Sequence, residues 1–300
     1  MADGLVPFID THVHFWDLNH PELTYGWLQP QVPHPILGDI EGMKHQRFDA
    51  GHLWAEARFA GVEAFVHVQA AVGTPDPVVE TRWVAEMAAA TGLPAAHVAH
   101  ADLGHDDVET VLDRHGAYSV LRGIRDFAIE PALAACDTSR FDRGLRLLAE
   151  RDLLLDLDCE WQHMAAAAEL ARRHPDLVVV LEHLGHPRHR DSEYFAGWQR
   201  GIYALSGAPN VHCKISGIGM GDPTWTRDSI APWIAHCLAS FGPGRCMFGS
   251  NWPVDRLFSS YDAIVSAYRA SVADLSGNEQ QQVLHRNARQ LYRLRPWRSS

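Results

Sequence analysis

The chain has 300 residues, 46% hydrophobic and 21% charged, which is enough apolar content for a large core and excludes a disordered chain. Its 26 Lys and Arg against 37 Asp and Glu give a formal charge of -11, disfavouring nucleic acid or an anionic membrane as partner and leaving a small-molecule substrate. No stretch reaches the roughly 18 apolar residues of a membrane span, and residues 1–10 lack the basic and apolar regions of a secretion signal, so a cytoplasmic location is expected.

The first apolar run, Phe8 to His14, reads as a strand whose end carries His12 and His14. Residues two apart in a strand face the same way, so both imidazoles point together and can share one ion or substrate. With 19 histidines in the chain, this spacing gains its weight only from its place at a strand end. A long segment, Asn19 to Asp49, follows, with Pro21, Pro30, Pro33 and Pro35 among Tyr25, Trp27 and His34. A proline-stiffened loop after a first strand is expected to lie over the site and to bring Trp27 to the substrate.

Further strands are expected over Ala64 to Gln69, Ala96 to Ala101, Val120 to Arg125, Leu153 to Asp158, Leu177 to Leu181, Val211 to Ser216 and Cys246 to Gly249. Helical segments alternate with them: Val78 to Thr91, Asp106 to His115, Asp142 to Arg151, Trp161 to His174, Phe195 to Ala208, Ile230 to Phe241 and Tyr261 to Ala273. A Ser-x-x-Glu capping box at Ser276 starts a last helix through Leu291, expected to pack under or across the sheet. Continuous apolar strands alternating with helices signal a parallel sheet, and eight units favour closure into a single-domain (β/α)8 TIM barrel over 1–300. Barrels of this kind carry their chemistry at the C-terminal ends of the strands.

The polar residues at those ends are the candidate site. Gln69 closes the second strand, Arg122 and Arg125 fall at the fourth and suit a carboxylate or oxyanion, and Asp158, Glu160 and Gln162 share one face beyond the fifth. At the sixth, Glu182 and His183 are neighbours, so one points in; His183 is the inward choice, Glu182 facing the helices or holding a loop. Lys214 lies inside the seventh strand, and the glycines of 216–222 lack the order and following helix of a dinucleotide loop. The cysteines at 136, 159, 213, 237 and 246 are odd in number and lack Cys-x-x-Cys spacing, reading as reduced and mostly buried thiols.

Taken in order, Ile9 to Asp17, Arg122-Gly123-Ile124-Arg125, Glu182 to Pro187, Lys214 to Gly217 and Met247 to Val254 resemble the amidohydrolase-2 family, and more narrowly its sugar-lactonase branch. That branch includes fuconolactonases, rhamnonolactonases, sulfomuconolactone hydrolases and the pyrone dicarboxylate lactonase. The resemblance implies a barrel in which His12, His14 and His183 gather one metal ion, zinc being the expected one, although some members of the branch work without metal. It also implies an aspartate at the end of the eighth strand, where this chain has Asn251, an amide that cannot accept a proton. Asn251 is left to orient substrate or water, with Asp255, His183 or Glu160 as base. The expected reaction is hydrolysis of a lactone or similar cyclic ester, with His12, His14, His183, Asn251 and Asp255 as catalytic candidates. Arg122, Arg125, Glu160, Trp27 and Gln69 are the substrate-binding candidates. A zinc-dependent decarboxylase, or a noncatalytic binding relative, is the alternative, and a homodimer is the commonest assembly for such an enzyme.

Overall fold

In the computed structural model, which describes residues 5–29, 34, 37–45 and 47–294, eight parallel strands follow one another round a barrel. They are β1 (Phe8–Val13), β2 (Val62–Val68), β3 (Ala96–His100), β4 (Leu121–Arg125), β5 (Leu154–Leu157), β6 (Val179–Leu181), β7 (Val211–Ile215) and β8 (Cys246–Phe248). Each pairs in parallel with the next in sequence. All eight expected strands are present, trimmed by one or two residues at most ends. The seam between β1 and β8 is closed beyond the ladder, where Val13 bridges Trp252 and the Asn251 N–H donates to the His12 carbonyl at 2.8 Å. Gly249 permits that approach, because a Cβ there would lie 2.6 Å from the His12 Cβ.

The barrel interior is visible as one set of alternating side chains. Ile9, Ala64, Val66, Val68, Ala96, Val98, Leu154, Val180 and Met247 pack together, joined from below by Ala288, Tyr292 and Leu294 of the C-terminal segment. The opposite strand faces join the helices in a second, larger core. This is the layering that β-branched and aliphatic strands buried on both faces produce. A register shift between Asp10 and Val13 changes the parity of β1. Ile9 points in at the bottom, and after the bulge His12 converges with His14 at the top.

Helix Val78–Thr91 ends where expected, at Gly92 in the left-handed conformation. The Ser276 capping box forms in both directions and starts Gly277–Gln281, which continues through a π turn at Gln282–Arg286 into Asn287–Leu291. Among the described residues three further helices, Ala50–Ala57, Ile129–Ala134 and Ile218–Gly221, lie outside the expected ones; all are short, and the first is started by the Asp49 carboxylate accepting from Gly51 and His52 N–H. The segment after β1 is anchored rather than loose: Trp16 and Tyr25 are buried, Trp16–Asp17 pairs antiparallel with Arg47–Phe48, and the Trp27 indole donates to the Ala70 carbonyl at 2.8 Å. Of its prolines, Pro30, Pro33 and Pro35 lie outside the described residues. Four of the five cysteines are buried, only Cys136 being exposed, and all are free thiols. Among the described residues no helix is long and apolar enough to cross a membrane.

Candidate active site at the barrel mouth

His12 and His14 meet at the top of β1, their Nε2 atoms 3.0 Å apart. His14 Nδ1 lies 2.8 Å from the Val68 carbonyl, so that nitrogen carries the proton and its Nε2 presents a lone pair. His12 Nδ1 has no hydrogen-bond partner within normal range; its nearest acceptor is Glu182 Oε1, 3.4 Å away and likewise unpartnered. With its proton toward Glu182, His12 would face His14 lone pair to lone pair, an arrangement that a shared cation relieves.

Glu182 is the main correction to the sequence reading. Alternation from Val180 carries it into the barrel, where it is fully buried, not toward the helices. His183, one residue later, belongs by parity to the other face and enters only because the chain leaves the strand there, with φ of +51°, +53°, +72° and +48° at His183, Leu184, Gly185 and His186. Both side chains therefore reach the mouth. His183 Nδ1 lies 2.9 Å from the Ser216 hydroxyl, and its ring centroid is 4.3 Å from that of His12. Gly217 makes room for it, since a Cβ there would fall 2.5 Å from His183 Nδ1.

Two buried cations hold Glu182. Arg125 donates to its Oε2 at 2.9 Å, and Lys214 Nζ stands 3.6 Å from Oε1 while pairing with Asp156 at 2.5 Å. Burial alone would raise the Glu182 pKa, but Arg125, His12 and Lys214 outweigh it and hold the carboxyl well below its ordinary value. Burial, aided by His183, lowers the His12 pKa far below its usual value; His14 is lowered to about 4 by burial and by Arg125. His183 is likewise lowered, by burial and then His186. The site thus presents neutral imidazoles and one carboxylate, the protonation states that metal ligation requires. Ligand atoms of His12, Glu182 and His183 lie within 4.8 Å of one another, and Glu182 Oε1 is a buried atom without a hydrogen-bond partner, one that an ion there would satisfy. The donor set His12, Glu182 and His183 fits a divalent cation, Glu182 joining two of the expected histidines.

The other expected residues separate into several groups. Arg122 is not at the mouth: it lies near the start of β4, on the strand face opposite Arg125, and its guanidinium holds the carbonyls of Ser119, Leu121 and Tyr292, fastening the C-terminal segment under the barrel. Arg125 is at the mouth, but Glu182 and the Gln69 carbonyl occupy its two terminal nitrogens, so it organises the cluster rather than offering a free fork. Gln69 contributes that carbonyl, and Trp27 reaches the loop after β2. Glu160 stands half-buried beyond β5, accepting from Arg188. Asn251 is buried at the end of β8 with φ of +59° and an unpartnered amide nitrogen. Asp255 is buried, with neither oxygen hydrogen-bonded, and burial drives its pKa far above the ordinary value. Its buried surroundings favour the protonated form, the weaker proton acceptor.

Sequence reasoning also missed a pair. His186 Nε2 meets Asp158 Oδ1 in a short contact, and the His186 ring stands 4.8 Å from His183. The only sequence signal was Gly185 before it and Pro187 after it, which mark a turn but not its direction.

The family described as Amidohydrolase matches residues 9–294. Over 300 residues the chain is 36% identical to the uncharacterized protein y4mH of Sinorhizobium fredii, spanning 96% of this chain and 99% of that one. The L-fucono-1,5-lactonase of Burkholderia multivorans is 31% identical over 274 residues, 86% of each chain. An amidohydrolase of known structure from Burkholderia multivorans, with bound zinc, has a TM-score of 0.82 at 26% identity, across 96% of this chain and 100% of that one.

Proposed function

The chain belongs to the amidohydrolase family and is a hydrolase, and on that premise we propose that it opens a lactone, or a similar cyclic ester of a small polar metabolite, by attack of water. The observation that carries the reading is the convergence of His12 and His14 Nε2 at 3.0 Å in a buried, neutral cluster at the barrel mouth. The relative named as a lactonase supports the choice of a cyclic ester over other substrates of water.

His12, His14, Glu182 and His183 are the residues that would hold a divalent cation, zinc being the choice for imidazole-rich donors. Such an ion supplies Lewis acidity toward the ester carbonyl and toward water. The chain's own part is to prepare the donors. The Val68 carbonyl fixes the His14 tautomer, Glu182 faces His12 Nδ1, and Arg125 with Lys214 keeps Glu182 ionised. Asn251 replaces the carboxylate usual at the eighth strand with an amide. It can orient a water or a carbonyl but cannot take a proton, so the proton acceptor is another group at the mouth.

The test is acid release, followed with a pH indicator, from a panel of 1,4- and 1,5-lactones, with metal content measured on protein purified without chelator. Hydrolysis of at least one lactone, lost together with the metal in His12→Ala, is the expected result. Release of CO2 from aromatic or unsaturated acids without lactone turnover would make the enzyme a decarboxylase. Tight binding without turnover of either class would make it a binding relative, and either outcome overturns the proposal.

A further inference from the structure

We propose that His186, oriented by Asp158, is the proton carrier of the mouth: it takes a proton from the attacking water and returns it to the departing ring oxygen. The reaction it serves rests on the lactonase reading; the pairing rests on geometry alone.

Asn251 cannot accept a proton, so the acceptor has to come from another strand end. Each histidine of the cluster already has one nitrogen facing a fixed protein group: His14 Nδ1 the Val68 carbonyl, His183 Nδ1 the Ser216 hydroxyl, and His12 Nδ1 Glu182. Glu160 is spent on Arg188, and the surroundings of Asp255 favour its protonated form.

His186 stands outside that cluster and directly beside it. Its ring lies 4.8 Å from that of His183 in an edge-on contact, and 12% of its side chain is exposed. Nε2 pairs with Asp158 Oδ1, so that nitrogen carries the proton and Nδ1 keeps its lone pair. Among the described residues no hydrogen bond engages Nδ1. Asp158, just past the end of β5, is placed for this task. Its Oδ2 faces Arg125 Nη1 at 3.8 Å, which leaves Oδ1 to the imidazole. Arg125 is also bound to Glu182, so the dyad and the donor cluster share one cation.

The backbone is held in an unfavourable shape to bring His186 there. His183, Leu184 and His186 are not glycines, yet they lie in the left-handed region at φ of +51°, +53° and +48°. Such residues cost about 1–3 kcal/mol each and persist where packing over-determines them. Here the Trp198 indole donates to the Leu184 carbonyl at 2.7 Å, and the His186 N–H donates to the His183 carbonyl at 2.9 Å. Gly185 between them has no room for a side chain, since a Cβ would fall 1.9 Å from Met164 Cε. The effect of this turn is to carry two imidazoles to the mouth in one pass.

The step needs no further reagent. The water oxygen bonds to the lactone carbonyl carbon as a water proton passes to His186 Nδ1. The ring C–O bond then breaks, and that proton goes to the departing oxygen, giving a hydroxy acid whose carboxyl proton is released to solvent. Asp158 stabilises the imidazolium formed in between and stays a carboxylate throughout.

The experiment compares His186→Ala and Asp158→Asn with the unmodified enzyme on a plain aliphatic 1,5-lactone and on dihydrocoumarin, an aryl ester whose phenoxide departs without a proton. His186→Ala should lower kcat on the aliphatic lactone by about 100-fold or more, with the loss about tenfold smaller on dihydrocoumarin. Its metal content should be unchanged, and added imidazole should restore part of the lost rate. Asp158, a positioning residue, should affect kcat with KM within about twofold, and Asp158→Asn should add nothing in the His186→Ala background. NMR on protein carrying nitrogen-labelled histidine reads the pair without turnover, the His186 signal being assigned by its loss in His186→Ala. A protonated Nε2 with a bare Nδ1 is expected, and Asp158→Asn should abolish that preference. Equal losses on the two lactones, no rescue by imidazole, loss of metal from folded His186→Ala, or a proton on Nδ1 would each overturn the proposal. If the unmodified enzyme opens no lactone while Asp158 still fixes the His186 tautomer, the lactonase reading fails and the dyad stands as a proton carrier for another substrate.

Discussion

Replacing Lys214 by Met tests the buried charge network that prepares the site. The Lys214 ammonium is fully buried and touches Asp156 at 2.5 Å and Glu182 at 3.6 Å. Its removal affects the two carboxyls unequally. Glu182 keeps Arg125 at 2.9 Å, whereas Asp156, whose Oδ1 already has no partner, loses the group that satisfies Oδ2. Leaving one buried charge unmatched costs about 3–5 kcal/mol, while removing both members together is often close to neutral. Lys214→Met should therefore lose about 3–5 kcal/mol in equilibrium urea unfolding. The double variant Lys214→Met with Asp156→Leu should recover all but about 1 kcal/mol, a coupling well outside the few tenths expected of independent sites. A single-variant loss under about 1 kcal/mol, or a double variant no more stable than the single one, would refute the reasoning and show that Asp156, raised to about 7 by burial, takes up a proton or finds other partners.

Three further outcomes follow from groups elsewhere in the barrel. His97 and His115 are buried with pKa lowered by burial to about 3 and about 4, so the unfolded chain takes up their protons first. Stability is complete above about pH 6.5 and is lost as pH falls toward 4, by up to about 1.4 kcal/mol per histidine per pH unit; His115→Gln should flatten that dependence in urea titrations, and an unchanged slope would count against it. Glu80, raised to about 7 by burial although it accepts from Ala70 and Ala71 N–H, has the opposite sign, since the folded state holds its proton and loses stability as pH rises through that value. Glu80→Gln should therefore compare better with the unmodified protein at pH 8 than at pH 5, by about 2–3 kcal/mol in the same assay. Gly217→Ala, at φ of +62° and with its new Cβ 2.5 Å from His183 Nδ1, should displace His183 and lower lactone kcat at least tenfold, and normal kcat would show that the imidazole position is not critical.

The barrel itself was legible because its signals are local. Apolar runs of strand length, helical segments between them and the Ser276 capping box depend on neighbours in sequence, and each appears within three residues of its expected place. At β1, His12 and His14 do converge, although a register shift between Asp10 and Val13 resets which face the strand end presents. Parity gave a wrong choice at β6, because His183 follows the last strand residue and its direction is set by a left-handed turn, not by alternation. Arg122 and Arg125 show the same limit. Their spacing does not reveal that one lies near the start of its strand and the other at its end, opposite a buried glutamate 57 residues away.

The sequence by itself determined the alternation of strands and helices and the histidine pair at the first strand end, because backbone periodicity and side-chain chemistry act over a few residues. Only the tertiary structure decided which charges are buried together. Glu182, Lys214, Asp156 and Arg125 come from four different strands or strand ends, and closure of the sheet brings them within a few ångströms in a space that water does not reach. There an ionised carboxyl persists only beside cations, so the state of each group depends on partners that no local pattern names.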